Sequence, residues 1–225
     1  MTGRLPTLAG APPLVAYGVE KAPANGCLDN LLRVPVRPGK VLRLSDEALD
    51  LPPPAIGQEN TPTDVRLAEH LKRLAGGWNR SAGVFIDGYF VHLRSVISSH
   101  RDEIGDRLGG MAGLFMPEDV LYAAPLPLPR ALVPLAAGAQ IPVDMFLWLG
   151  ETAVAVLFDP SALLPPAERR RQEQLAAAGI TVRTITAADL ARPGIFAELL
   201  GERGSGFWRD HVLPIAPGAP RLPSF

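Results

Sequence analysis

The sequence predicts an α/β domain built on a small mixed β-sheet of about four strands flanked by helices, with extended proline-rich arms at both ends. Three observations carry this. Between Ile141 and Thr186, IPVDMFLWLGETAVAVLFDPSALLPPAERRRQEQLAAAGITVRTIT reads as strand, tight turn, strand, helix, strand. Upstream, Val65 to Leu74 and Phe85 to Leu108 repeat apolar residues at helical spacings of three and four. The 24 prolines and 22 glycines crowd the two ends and residues 117–134, which sets irregular chain outside a compact middle.

The composition bounds the function classes. At 225 residues and 47% hydrophobic content the chain suits one domain with appendages and has enough apolar surface for a core. A net charge of −1 and a pI near 6.4 remove any global basic field, so contact with nucleic acid would need a local patch. The single cysteine, Cys27, excludes an internal disulfide and a multi-cysteine zinc site, and fits a reducing compartment. The first residues lack the continuous apolar core of a signal peptide, and no run approaches the ~18 apolar residues of a membrane span. The expected location is the cytoplasm.

Residues 1–60 read as an arm. LLRVPVRPGKVLRL offers two short extended runs about Arg37-Pro38-Gly39-Lys40, the chemistry of a small ribbon. Pro52-Pro53-Pro54 must be extended, because proline fixes φ and lacks a donor. Apolar residues such as Leu14, Val15, Tyr17 and Val34 are too many for a solvated tail, so the arm is expected to lie on the domain or on a partner.

The domain is expected over 61–202. Thr61 caps the first helix, Pro62 takes its first position, and Asp64 stands where a capping-box carboxylate belongs. Gly76-Gly77 stops it. One helix over 81–109 follows despite Gly88 and Gly105, a strand pair turning at Asp87-Gly88 being the competing reading. His92 and His100 fall two turns apart on it, too far to share a metal, and are expected at the core edge or an interface. Asp102, Glu103 and Asp106 form a solvated charged face. Pro117-Glu118-Asp119 opens a short helical turn, and Pro125, Pro127 and Pro129 argue against a central strand, leaving ALVPLAA as an edge strand.

IPVDMFLWL and TAVAVLF are almost continuously apolar, as strands covered on both faces are, and Gly150-Glu151 turns between them. Pro165-Pro166 introduces AERRRQEQLAAAG, with Gly179 as its stop. ITVRTIT is the next strand, and Thr186 caps AADLARPGIFAELLG, interrupted at Pro193. Residues 203–225 form an extended tail whose Phe207, Trp208 and Phe225 are anchors for a neighbouring subunit or for the domain itself. Phosphate-loop and nucleophile-elbow patterns are absent, and no basic neighbour activates Cys27.

TPTDVRLAEHL, the P-V-D of 142–144 ahead of an aromatic strand, the hairpin, the apolar strand ending in Asp159, the arginine-rich helix and GITVRTIT together carry a resemblance. Over Thr61–Leu74 and Leu126–Ile185 the chain resembles restriction-endonuclease-like proteins of the PD-(D/E)XK class, in the branch related to very-short-patch-repair endonucleases. The resemblance implies that core fold. It also implies Mg²⁺ held by Asp144 and a second-motif acid, with Asp64 reaching across from the first helix and a lysine positioning the attacking water. Here Leu157 stands where that acid should be, Asp159 follows two residues later, and no lysine occurs after Lys72.

The expected function is therefore non-enzymatic: an assembly, adaptor or scaffold protein that grips other protein chains or copies of itself through its arms and needs no cofactor. One alternative is a Mg²⁺-dependent nuclease with Asp64, Asp144 and Asp159 as ligands. The other is a module that binds nucleic acid without cutting it, using Arg169, Arg170, Arg171 and Arg183 on phosphates. A solvated helix with local ion pairs is the competing reading of those arginines.

Overall fold

The computed structural model describes residues 13–18, 32–45, 51–54, 59–76, 79–111, 114–135, 139–158 and 166–210; Cys27, Asp159 and Phe225 lie outside them. Their centre is a mixed sheet in the order β2-β1-β3-β4-β5-β6. β1 is Leu14–Tyr17, β2 Leu32–Pro35, β3 Leu128–Pro134, β4 Gln140–Trp148, β5 Ala153–Phe158 and β6 Thr181–Ile185. All pairs are antiparallel except β5 with β6, whose parallel pairing requires a crossover. Helix α4, Pro166–Ala177, makes that crossover.

Six strands replace the expected four, and the two additions come from the N-terminal stretch. Val15 and Tyr17 of β1 are fully buried. Their backbone must then find partners, which β3 supplies on one side and β2 on the other. The expected ribbon is also re-paired. After the turn closed by Lys40 N–H donating to Arg37 O (3.1 Å), the chain does not return along β2. Val41 instead bridges Leu149, and Arg43 bridges Pro125.

The edge placed at ALVPLAA is corrected as well, because β3 lies between β1 and β4. Its prolines are tolerated because proline loses a donor but keeps its acceptor. Pro129 O takes the Gly18 N–H at 2.9 Å, and Pro134 ends the strand opposite Gln140.

Helix α1 spans Thr63–Leu74, with Pro62 rather than Thr61 at its cap and no side-chain cap bond. The single helix expected over 81–109 is two, α2 (Arg80–Ser99) and α3 (Arg101–Leu108). The break at His100 has a local cause. Ser99 Oγ donates to Ser95 O and His100 Nδ1 engages Val96 O, so side chains compete with the helical ladder just where the His100 ring packs on Trp208, 4.4 Å between centroids. A 3-10 helix over Pro117–Ala123 follows, its start fixed by Met116 N–H donating to Asp119 Oδ2.

After β6, Thr186 and Asp189 form a reciprocal capping box at α5 (Ala187–Leu190), and α6 (Ile195–Ser205) begins beyond Pro193. Gly179 takes a φ of 76°, the left-handed stop the sequence called for.

The two faces of the sheet differ. On β4, Ile141, Val143 and Met145 are buried while Pro142 is exposed and Asp144 half-buried, a period of two. The buried face carries Phe158, whose ring meets Phe85 of α2 edge-on at 5.6 Å. Phe85 and Tyr89 of α2 in turn meet Phe196 of α6, and Tyr89 donates its hydroxyl to Pro125 O at 2.6 Å. The other face holds Asp144 and is covered over β5 and β6 by α4, where Gln172 donates to Thr184 Oγ1 at 3.3 Å. Among the described residues no helix is long and apolar enough to cross a membrane.

Candidate functional site

The β4–β5 pairing runs from Trp148 opposite Ala153 to Met145 opposite Val156. One step further sets Asp144 opposite Leu157, and paired residues point to the same face. On the other flank of β4, the β3 register sets Asp144 opposite Arg130, which carries a φ of 48° inside its strand. Arg130 is the one non-glycine residue with positive φ among those described. The Asp144 carboxylate is thus bracketed by Leu157 and Arg130, with α4 above.

Its strongest contact is to main chain: Phe158 N–H donates to Asp144 Oδ2 at 2.9 Å. That bond occupies a carboxylate oxygen and satisfies the donor at the end of the β4–β5 ladder. Burial pushes the Asp144 carboxyl above its ordinary range, while the Phe158 N–H and the guanidiniums of Arg171 and Arg130 pull the other way and Glu168 adds to the rise. Leu157 is only 2% exposed. It is sealed in the core at the place where the resemblance implies an acid.

Tested for Mg²⁺, these residues do not fit. A divalent magnesium ion is held by several oxygens. Here one oxygen of Asp144 is taken by main chain, its cross-strand neighbour is a leucine, and the nearby positive charge already comes from two arginines. Among the described residues no three histidine, cysteine or acidic side chains are grouped to hold a metal ion. Asp159 lies outside the described residues. Asp64 has a different set of neighbours: Arg94 of α2 donates to its Oδ2 through Nε (3.0 Å) and Nη2 (2.6 Å). It shares no hydrogen-bond partner with Asp144 and, with no capping bond at α1, serves as an ion-pair partner rather than a cap.

The arginines divide between faces. Arg169 and Arg170 are exposed on α4, whereas Arg171 is half-buried, 3.5 Å from Glu168, and near enough for its charge to lower the Asp144 carboxyl. Its Nε is buried without a hydrogen-bond partner. Arg183 pairs with Val156, so it points to the face opposite Thr184 and Asp144. No single patch gathers Arg171 and Arg183.

Phe207 and Trp208 pack on their own chain, at 1% and 5% exposure. Trp208 lies against His100, and Arg209 stacks on its ring at 4.7 Å. The next residue is fixed too: Arg43, nearly buried, donates to Asp210 Oδ2 at 2.6 Å and to Ala123 O at 2.9 Å. His92 sits at the core edge as expected, stacked on Phe196 at 5.9 Å. Arg130 and Glu168 complete the surroundings of Asp144 and have no counterpart in the motif that the resemblance supplies. The available signal was a lone charge in each of two apolar strands, LPRALVP and IPVDMFLWL, which invites a cross-strand pair. The chain matches no family model, no curated protein and no solved structure.

Proposed function

We propose that this chain is a non-catalytic assembly or adaptor protein built on an endonuclease-like core, and that it works by holding other protein chains. The observation that carries the reading is the state of Asp144. Its carboxylate accepts a main-chain N–H, stands opposite a buried leucine, and has arginines where a metal-binding site would need further acids. That is the chemistry of a structural clasp. The division of Arg171 and Arg183 between the two faces weighs against a single phosphate-tracking surface on this part of the sheet.

The test is a plasmid-nicking assay with Mg²⁺ or Mn²⁺ on the wild type and on Asp144→Ala, together with calorimetry for the ions. No nicking above a buffer control in either protein and no saturable heat are expected. Nicking by the wild type that Asp144→Ala abolishes would establish the Mg²⁺-dependent nuclease instead. Salt-sensitive retention of the wild type on duplex DNA without nicking would establish the nucleic-acid-binding module.

A further inference from the structure

The chain after α3 exposes an apolar trio. Met111, Leu114 and Met116 are 39%, 80% and 59% exposed, all within six residues, whereas Leu14 and Val65 are exposed singly in β1 and α1 and Val84 and Val91 stand two turns apart on α2. Isolated exposed apolar residues need no explanation, but a cluster marks a contact surface, and methionine adapts its shape to what it meets. The trio is braced from below. Leu114 and Phe115 both donate their N–H to Met111 O, at 2.9 and 3.1 Å, and Asp119 Oδ2 holds the Met116 N–H at 2.8 Å.

Asp119 also lines a cleft of about 470 Å³ between the start of α1, the α2–α3 junction and the 3-10 helix. Arg94 and Arg101 enter it from one wall, Glu118 and Tyr122 from the other, and Asp64 from its end. Inside, the opposite charges are matched: Arg94 is bonded to Asp64, and Arg101 to Glu118. The unpaired acids gather on α3, whereas Arg66, whose charge reaches Tyr122 at the cleft, donates to Pro52 O. Asp102, Glu103 and Asp106 are exposed on α3 and form no ion pair among the described residues. Arg107, the nearest other cation on α3, is turned away, donating to Arg209 O and lying over the Trp208 ring. The N-terminal dipole of α3 favours Asp102 and Glu103 without neutralising them, and Asp106 lies beyond its first turn.

We propose that this surface docks a basic amphipathic segment of a partner chain, its apolar side chains on Met111, Leu114 and Met116 and its lysines or arginines on the α3 carboxylates, with the cleft beside them taking one polar side chain. Charge complementarity selects this occupant. An acidic segment would meet three unpaired carboxylates, and a second copy docking through the same face would set those carboxylates against their own kind. The inference rests on the adaptor reading and gives its partner a chemistry.

The experiment titrates two synthetic helical peptides into the full chain by calorimetry, one with leucine and lysine at amphipathic spacing and one with every lysine replaced by glutamate. The lysine peptide is expected to bind, and more weakly as salt is raised. Leu114→Ser/Met116→Ser and Asp102→Asn/Glu103→Gln/Asp106→Asn are each expected to weaken it by about tenfold or more, and the glutamate peptide is expected not to bind. All five positions are exposed, and circular dichroism of each variant checks the fold. Wild type that ignores the lysine peptide, variants that bind it as tightly as wild type, or equal binding of the glutamate peptide would each overturn the proposal. None of these outcomes bears on nicking by Asp144, so the adaptor reading stands or falls on its own assay.

Discussion

Asp144 holds the amide of Phe158 across the β4–β5 pair, Oδ2 to N at 2.9 Å, where the register would place it opposite Leu157. A structural acceptor and a metal ligand answer differently to substitution. Asparagine keeps an acceptor at this position and alanine does not. Asp144→Ala is expected to cost about 1–3 kcal/mol in urea unfolding, the cost of leaving a buried donor unsatisfied, while Asp144→Asn stays close to wild type. The sign of the pH dependence follows from the raised carboxyl. Ionisation of Asp144 favours the unfolded chain, so the wild type loses stability as pH rises from 3.8 through the folded value. Asp144→Asn should gain on the wild type over that window.

Leu157→Glu would restore an acid to the position opposite Asp144. With the site 2% exposed, two carboxylates facing each other are expected to destabilise the fold by about 3 kcal/mol or more at neutral pH. The loss should shrink in acid, where both groups protonate. Urea midpoints at two pH values measure this; an unperturbed protein at neutral pH would mean that the two side chains do not share a face.

Gly88 tests the packing of α2 on α6. A Cβ at this position would lie 2.9 Å from Phe196 Cε2 and 3.0 Å from its Cζ. Alanine in a helix interior ordinarily gains about 1 kcal/mol over glycine. Here Phe196 is hemmed in by Phe85, Tyr89 and His92, so Gly88→Ala is expected to destabilise by about 1–3 kcal/mol through overpacking. A Phe196→Leu background should remove most of that penalty, which a double-mutant cycle on thermal midpoints reads directly.

His92 supplies a second pH signature. Burial holds its imidazole below the ordinary value of 6.5, so the fold favours the neutral form. The unfolded chain takes up the proton first, and the stability His92 contributes is complete above 6.5 and lost as pH falls toward the folded value. His92→Gln should flatten the stability profile in that range without changing the slope above it.

The C-terminal clasp can be opened at Asp210. Removing its carboxylate leaves the nearly buried Arg43 without that partner, although Ala123 O still accepts one of its N–H groups. Asp210→Ala is expected to cost about 1–3 kcal/mol, and Arg43→Met to recover part of the loss in the double variant by removing a nearly buried charge that has lost this carboxylate. Chemical denaturation of the four proteins completes the cycle.

How much of this the sequence disclosed depended on the length of each signal. The run from Ile141 to Thr186 was readable because long apolar strands, a Gly150 turn and the Thr186 cap agree with one another. β1 is not legible as a strand, and β2 is legible only as half of a separate ribbon, since four-residue runs such as LVAY among prolines take their place in the sheet from β3, far away in the chain. The break at His100 escaped because helical periodicity continues through it and Trp208, the residue it packs on, is distant in sequence. In the site, Leu157 stands out only through the resemblance, as the residue where an acid is implied, whereas its place opposite Asp144 and the part of Arg130 require the registers of β5 and β3 on β4, which no local pattern specifies.

The pairing of Ala16 with Leu132 has a consequence for the order of synthesis. β1 and β2 leave the ribosome before β3, and the strand that joins them to the sheet is made only after all of α1, α2 and α3. Until then these strands have at most each other, and a two-stranded ribbon alone is marginal in water. The ion pair of Asp210 with Arg43 can form only later still. β1 and β2 must therefore be kept from wrong partners until β3 is made, and a chain cut before residue 128 would have helices but only that ribbon to pack them on.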